Sequence, residues 1–213
     1  MREIYSKGVT FVSILAMALL SCKKGGTPER SSTTLYLKGT TSKGTFAYTR
    51  NGQITNSLLV SRAEAATGLD ALQNLPVIKD DVTFRADGLF QWGGDFYTYV
   101  KTNDHFVFRA YKDPVDSTNY AVVFWPFFKE PTATVLPNGN IYASRVIVAS
   151  GDMTLFHINR MYVSILRRDS VTNAIKYREE TTVNNEFNAE GVKTLGKNDT
   201  LAVKEYTLDY RSK

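Results

Sequence analysis

The stretch Val82-Thr83-Phe84-Arg85-Ala86-Asp87-Gly88-Leu89-Phe90-Gln91-Trp92 decides the fold class of this chain. On both sides of Asp87-Gly88, aromatic and β-branched residues alternate with polar ones, which is the pattern of two half-buried strands. Asp-Gly is a favoured hairpin turn because both residues tolerate positive φ. A Tyr-rich run, Asp95–Lys101, follows Gly93-Gly94 and predicts a third strand. The stretch therefore predicts antiparallel strands joined by tight turns.

The same pattern extends in both directions, with further turn signals such as Asn51-Gly52 and Gly196-Lys197-Asn198-Asp199. The predicted strands are Thr33–Lys38, Thr45–Arg50, Ile54–Ser61, Val82–Ala86, Asp95–Lys101, Phe106–Tyr111, Tyr120–Phe128, Thr132–Leu136, Ile141–Ala149, Met153–Ile158, Met161–Arg167, Ile175–Val183 and Leu201–Tyr210. Many short strands with frequent turns are typical of an antiparallel barrel or sandwich. We therefore predict one all-β domain over residues 33–213, with the choice between barrel and sandwich open.

One segment, residues 62–75, predicts a short helix. Ser61 and Glu64 have the spacing of a capping box. Three leucines recur at helical spacing up to Leu75, and Pro76 ends the run. We expect this helix to lie over an open end or an edge of the sheet.

The segment Asp152–Arg168 fits two periods. Apolar residues could line one helix face, yet Met161, Val163 and Ile165 also alternate with their neighbours. We favour a strand, although short apolar runs do not separate the two periods sharply.

The segment from Val82 to Tyr111 resembles a recurrent part of lipocalin-like bacterial lipoproteins. In those proteins a strand ending in Asp-Gly turns into a second strand and then into a Tyr-rich third strand. Here Asp87-Gly88 supplies the turn and Asp95–Val100 the third strand. The resemblance implies a β-barrel that binds a ligand.

The N-terminal residues have the layout of a secretion signal. A short basic start precedes an apolar run from Val9 to Leu20, about 12 residues long, whereas a membrane-spanning helix needs about 20. The run ends in Leu19-Leu20-Ser21-Cys22, which resembles the lipobox of bacterial lipoproteins. The resemblance implies that residues 1–21 are a signal peptide and that the Cys22 thiol is acylated. Lys23 after this cysteine is compatible with export to the outer membrane.

Residues 22–32 predict a flexible tether between the acylated cysteine and the domain. The segment after Cys22 is polar, aperiodic and rich in Gly, Pro and Ser. The net charge of +5 is mild, and no cluster of basic residues interleaved with aromatics predicts nucleic-acid binding. The expected partners are therefore the membrane, through the lipid, and a small ligand or an envelope protein.

The sequence contains few candidates for catalysis. His105 and His157 are the only histidines, and neither has metal-ligand spacing to other residues. Ser150 precedes His157, but the chain has no Gly-x-Ser-x-Gly motif. Asp80 and Asp81 precede a predicted strand and indicate a solvated turn. We predict no catalytic residue, no metal and no cofactor.

The aromatic residues are the better candidates for a binding site. We name Tyr97, Tyr99, His105, Arg109 and Trp125 as ligand-binding candidates, because Tyr and Trp combine an apolar surface with a polar group. Their arrangement depends on register. An even number of residues in the loop that joins Lys101 to Phe106 puts both tyrosines in the core. An odd number puts them on the same face as His105 and Arg109.

Pro126 within the aromatic run 124–128 predicts an edge strand, a bulge or a break. This makes Trp125 and Phe127 the aromatics expected to reach a surface.

The sequence thus predicts a membrane-anchored envelope lipoprotein, without enzymatic activity, that binds a small apolar or glycan ligand. The alternative is a structural or accessory subunit of an envelope protein complex. A glycan hydrolase would need two carboxylates that converge in a cleft, which the sequence cannot place.

Overall fold

A computed structural model of the chain describes residues 31–69, 80–103, 105–110, 124–131, 133–135, 141–143 and 145–213. Residues Ser32–Lys213 form one compact unit. Its strands are β1 (Thr33–Thr49), β2 (Gly52–Ile54), β3 (Val82–Phe84), β4 (Phe90–Trp92), β5 (Asp95–Thr102), β6 (His105–Ala110), β7 (Ala133–Val135), β8 (Ile141–Ala143), β9 (Val146–Gly151), β10 (Leu155–Arg168), β11 (Ile175–Val183) and β12 (Thr200–Arg211). The helix α1 spans Ser57–Thr67, and 3-10 turns span Trp125–Phe127 and Ala189–Thr194.

Eight antiparallel strands close into a barrel. They follow one another in the order β10, β12, β1, β3, β4, β5, β6 and β9, and the pairing of β9 with β10 closes the ring. The strands β2 and β11 extend the sheet from β1 and β10, while β7 and β8 form a separate two-stranded sheet. Closure pairs the edges that an open sheet would expose. The all-β prediction is confirmed, and of its two architectures the chain has the barrel.

The first strand is longer than the sequence predicted. Thr33–Lys38 and Thr45–Arg50 were expected as two strands, but β1 is continuous and pairs with β12 along its length. Register shifts after Leu37 and after Ser42 mark bulges, and Gly44 has a φ of 108°. Such bulges let one strand bend without ending, so residues 39–44, where no strand was predicted, belong to β1.

The helix begins earlier than predicted. Asn56 caps it, because its side-chain oxygen accepts hydrogen bonds from the N–H groups of Leu58 and Leu59 at 3.0 and 3.2 Å. The predicted strand Ile54–Ser61 and the capping box at Ser61 are therefore wrong. The helix ends at Gly68, which has a φ of 74°, a conformation that favours glycine. Residues 70–75 of the predicted helix lie outside the described residues.

The segment Asp152–Arg168 contains one long strand, β10, as favoured from the sequence, rather than the two separate strands expected within it. The strands β10 and β12 have 14 and 12 residues. Side chains alternate between the two faces along them, so each strand contributes to different hydrophobic clusters.

Three hydrophobic clusters hold the domain. The first fills the barrel and consists of Leu35, Val82, Phe84, Phe90, Trp92, Tyr97, Phe106, Phe108, Ile147, Ala149, Phe156, Ile158, Leu208 and Tyr210. The second lies where the opposite faces of β10 and β12 meet the two 3-10 turns, and includes Phe127, Met161 and Val203. The third packs Leu69, after α1, against Tyr162 and Tyr206. The helix itself contacts β1, β12 and β10, so it covers a face of the extended sheet, whereas an open end or an edge was expected.

Pro126 does break the strand predicted over residues 120–128, because residues 125–127 form a 3-10 turn. Phe127 is only 1% exposed, so the expectation that it reaches the surface is wrong. Residues 120–123 of this predicted strand lie outside the described residues. So do residues 1–21, Cys22 and most of the tether, and their roles stay predictions.

Candidate functional site

The tyrosines of β5 face the barrel interior. Thr102 pairs with His105, and in this register Tyr99 lies opposite Phe108. Tyr97 is 4% exposed, and burial raises the pKa of its phenol. The ring of Tyr99 packs against the same cluster, with its centroid 5.4 Å from that of Phe108. Of the two registers left open by the sequence, the structure has the one that puts both tyrosines in the core.

His105 and Arg109 lie on the opposite, outer face of β6. Arg109 pairs with Glu130 at 3.2 Å, and His105 Nε2 lies 2.9 Å from Glu186 Oε1. Trp125 is half-buried at the start of a 3-10 turn. The five predicted ligand-binding residues are thus divided among the interior, the outer wall and a turn. The structure does not bring them together in one site.

Aromatic rings fill the interior of the barrel. The rings belong to Phe84, Phe90, Trp92, Tyr97, Tyr99, Phe106, Phe108, Phe156 and Tyr210. Phe90 and Phe108 are the tightest pair among them, with centroids 4.0 Å apart, and Phe156 and Tyr210 lie 6.4 Å apart. These separations correspond to direct ring–ring contact. The described interior is therefore a packed core.

A polar cleft lies on the outer wall of β3 and β4. One row of side chains on this face comes from register partners on four adjacent strands, namely Thr34, Thr83, Gln91 and Phe96. The hydroxyl oxygens of Thr34 and Thr83 lie 3.1 Å apart and hydrogen bond. The row presents a hydroxyl, an amide and an aromatic ring side by side.

The cleft has two adjoining parts that share Thr83 and Gln91. Their volumes are about 360 and 230 Å³. The larger part is lined by Ser32, Thr83, Arg85, Ala86, Asp87 and Gln91. The smaller part is lined by Asp80, Asp81, Thr83, Gln91, Gly93 and Gly94. Both parts are open to solvent, so a ligand could reach the row without any rearrangement of the barrel.

Ion pairing orders one wall of the cleft. Arg85 donates to Asp87 from Nε at 3.0 Å and from Nη2 at 2.7 Å, and its guanidinium lies 5.1 Å from the ring centre of Phe96. The hydrogen bond from Arg85 holds the pKa of Asp87 below its ordinary value, and the N–H of Leu89 adds to this effect. These contacts fix the orientation of both charged groups.

The electrostatic balance of the cleft is negative. Asp87 and Arg85 line the larger part, and Asp80 and Asp81 line the smaller part, so three carboxylates and one guanidinium border the cleft. From the sequence, Asp80 and Asp81 were expected in a solvated turn, and this cleft was not predicted. The signal was present in the alternation of β3 and β4, because Thr83 and Gln91 point away from the side that buries Phe84 and Phe90.

The outer wall also carries a histidine–aspartate pair. His157 Nδ1 lies 2.6 Å from Asp209 Oδ1, and Ser150 is the register partner of both His157 and His105. The three residue types are those of a hydrolase triad. However, among the described residues no hydrogen bond joins Ser150 to either imidazole, and ladder N–H groups do not form an oxyanion hole. We assign the pair to the surface of the sheet rather than to catalysis.

A partly buried ionic network adjoins this pair. Glu186 accepts hydrogen bonds from Lys129 Nζ at 2.9 Å and from Asn159 Nδ2 at 3.1 Å. Burial alone would raise the pKa of Glu186, but the hydrogen bond from Lys129 and nearby positive charges lower it overall. Glu205 behaves differently, because its burial outweighs the attraction of Lys43 and raises its pKa. The network therefore contains one carboxylate that favours ionisation and one that resists it.

Within the described part of the chain, no group of three or more His, Cys, Asp or Glu side chains is arranged to hold a metal ion. Nor does any helix described there have the length and apolar character needed to cross a membrane. In comparisons with known proteins, the chain matches no family model, no curated protein and no solved structure. The geometry of the surface is thus the basis for proposing a function.

Proposed function

We propose that this chain is a lipid-anchored envelope protein that binds a neutral glycan, without chemical turnover, in the outer cleft of β3 and β4. The observation that carries the proposal is the row of Thr83, Gln91 and Phe96, flanked by Asp80, Asp81 and Arg85. Sugars offer hydroxyl groups that donate and accept hydrogen bonds, and this row offers complementary groups.

The size of the cleft is compatible with one or two sugar rings. Ligand sites commonly enclose roughly 300–1,000 Å³, and the larger part of the cleft measures about 360 Å³. Gln91 lies between the two parts, so its amide can donate to and accept from a ligand that spans both. We therefore assign Gln91 the central role in binding.

The charge of the cleft selects among glycans. Three carboxylates and one guanidinium leave an excess of negative charge, which repels uronic acids and phosphorylated sugars. Neutral sugars and amino sugars do not meet this repulsion. A small apolar ligand is less well supported, because aromatic rings fill the barrel interior.

The lipid anchor is the second part of the proposal. It rests on the lipobox-like sequence that ends at Cys22, and the domain would be tethered through residues 22–32. Acylation by more than one chain gives stable attachment, whereas a single chain gives only marginal binding. The protein would present its cleft on the envelope, at the outer membrane.

The glycan proposal can be tested with the segment 32–213, which contains every described strand and all three hydrophobic clusters. Ligand-observed NMR would be recorded with soluble oligosaccharides of glucose, mannose, galactose and N-acetylglucosamine, and with an oligomeric uronate. We expect at least one neutral oligomer to bind and remain intact, and the uronate not to bind.

A pair of glutamine variants supplies the control. Gln91→Ala removes the central amide and should weaken binding at least tenfold, while Gln53→Ala, at an exposed position on β2, should leave binding unchanged. Binding of no neutral oligomer, or equal binding by both variants, would refute the assignment of the cleft. Cleavage of an oligomer would refute the absence of enzymatic activity.

The accessory-subunit alternative is favoured by a different observation, the hairpin of β10 and β11. This hairpin presents Val171, Ile175 and Tyr177 to solvent, with exposures of 89, 59 and 55%. Such a surface suits a protein partner. Photo-crosslinking from position 177 in intact membranes tests this alternative, with position 100 on β5, also exposed, as a matched control.

A further inference from the structure

Among the described strands, β11 lies at an edge of the sheet. Among the described residues it pairs with β10 on one side, and no described strand pairs with its other side. Its side chains are largely exposed on both faces. An edge of this kind presents unpaired N–H and C=O groups that can bind another strand.

The side chains of β11 are ordered by charge along the strand. Lys176 and Arg178 lie in its first half, and Glu179 and Glu180 follow directly. When two such strands pair antiparallel near their middle, a basic residue of the first half of each can meet Glu180 in the second half of the other. Opposite charges directly across an antiparallel pair stabilise it, and like charges destabilise it. The charge pattern is therefore self-complementary in the antiparallel direction.

Symmetry restricts the possible registers. A two-fold axis perpendicular to the sheet preserves its faces, so opposed residues must have the same parity in sequence. The nine residues of β11 overlap completely only when the axis passes through Glu179. In this register Arg178 of each copy faces Glu180 of the other, Tyr177 faces Thr181, and Ile175 faces Val183. Each of these pairs occurs twice.

The central residue does not oppose this register. Two Glu179 side chains meet at the axis, but each is held by its own Arg167, whose Nε lies 2.7 Å from Glu179 Oε2. The next possible register, with the axis at Arg178, pairs Lys176 with Glu180 twice, but it places two arginines opposite each other and leaves the ends of the strand unpaired. The two registers have equal numbers of opposite-charge pairs, and the first has the longer overlap.

We propose that β11 binds β11 of a second copy of this chain, in the antiparallel register centred on Glu179. The two barrels then share one continuous sheet through their β10–β11 hairpins. The exposed side chains of Ile175 and Tyr177 are covered by Val183 and Thr181 of the second copy, on the same face of the sheet. This inference goes beyond the proposed glycan site and does not depend on it.

Cysteine cross-linking tests the register directly. The chain contains one cysteine, Cys22, so the segment 32–213 contains none. Directly opposed residues of an antiparallel pair have Cβ atoms about 4.5–5.5 Å apart, close to the range that a disulfide spans. We expect Glu179→Cys to form a covalent dimer on mild oxidation and Arg178→Cys to form at least tenfold less. Cross-linking mainly at position 178 would overturn the proposed register.

Charge reversal tests the same contact without a covalent bond. In sedimentation velocity over a concentration series, Arg178→Glu should weaken dimerisation at least tenfold because it faces Glu180. The double variant Arg178→Glu with Glu180→Arg should restore it. Lys176→Glu is the matched control, since this residue faces neutral Thr182 in the proposed register and should have the smaller effect.

Thermal melts at low concentration verify that each variant is folded. The side chains of Lys176, Arg178 and Glu180 are exposed, whereas Glu179→Cys removes the partner of Arg167 and is the variant for which this check matters most. A parent segment that stays monomeric throughout the series, with no cross-link at position 179, would overturn the dimer. So would a double variant that fails to dimerise while the parent does. The glycan-binding measurements are independent of these outcomes.

Discussion

Replacing Phe156 by alanine tests whether the barrel interior is a packed core. Phe156 is 0% exposed, and its ring lies 5.3 Å from Phe84, 5.5 Å from Phe106 and 5.9 Å from Phe108. Truncation of a buried phenylalanine costs about 3–5 kcal/mol, because transfer free energy is lost and a cavity remains. For a domain of this size 1 kcal/mol corresponds to about 2–4 °C, so we expect Tm to fall by about 6–20 °C.

The assays are a thermal melt and urea denaturation of the segment 32–213, each followed by circular dichroism and intrinsic fluorescence. Phe96→Ala is the matched control, because Phe96 is 39% exposed and contacts Arg85 at the surface. A cation–π contact at an exposed site is worth about 0.5–1 kcal/mol, so this variant should lose about 1 kcal/mol. An unchanged slope of unfolding free energy against urea confirms that stability, not compactness, has changed.

A packed interior would be ruled out if Phe156→Ala lost no more stability than Phe96→Ala. Such a result would mean that the rings around position 156 do not contribute packing energy, as in a barrel that keeps an open lumen for a ligand. The interior would then be the better-supported ligand site, in place of the outer cleft.

Three other substitutions have predictable effects. Glu205→Gln should raise stability at pH 7 and have no effect near pH 3, because burial raises the pKa of Glu205. Because folding raises the pKa of this carboxyl group, its protonated form favours the folded state. This contribution to the free energy of unfolding is complete below the unfolded pKa, about 4.3, and is lost as pH rises through the folded pKa. Asp199 is 5% exposed and accepts hydrogen bonds from a guanidinium and two backbone N–H groups. These bonds outweigh burial and lower its pKa, so Asp199→Asn should cost about 2 kcal/mol at pH 7, with the difference shrinking below about pH 4. Gly191→Ala should destabilise strongly in urea titrations, since its Cβ would overlap the carbonyl oxygen of Pro126, while Gly39→Ala, where nothing lies within 4 Å, should not.

Local chemistry made the antiparallel strands predictable. Alternation along Val82–Trp92 and the turns at Asp87-Gly88 and Gly93-Gly94 depend on neighbouring residues, and the structure has these hairpins, with positive φ at all three glycines. The boundaries of β1 and α1 were not predictable from the same signals. In β1, pairing with β12 keeps the stretch between Gly39 and Gly44 within the strand. In α1, the cap at Asn56 begins a helix where a strand had been predicted.

The candidate site was only partly predictable, because side-chain position depends on contacts between distant residues. The sequence identified Tyr97 and Tyr99 as important aromatics, but their side of the sheet depended on the register between β5 and β6. Asp80 and Asp81 looked like an ordinary solvated turn until the barrel placed them beside Gln91. Proximity of this kind comes from pairing between strands, which a single sequence does not display.

The sequence by itself determined the all-β class, the hairpin turns of β3 to β5 and the lipobox-like end of the apolar run at Cys22. These features follow from side-chain alternation, turn conformations and hydrophobicity, which are properties of neighbouring residues. Only the tertiary structure decided that the sheet closes into a barrel, since the pairing of β9 with β10 joins separate strands. It also decided that aromatic rings fill the interior, that the polar row faces outward, and that β11 is left at an edge. These outcomes depend on register, and a shift of one residue would exchange the inner and outer faces of the shifted strand.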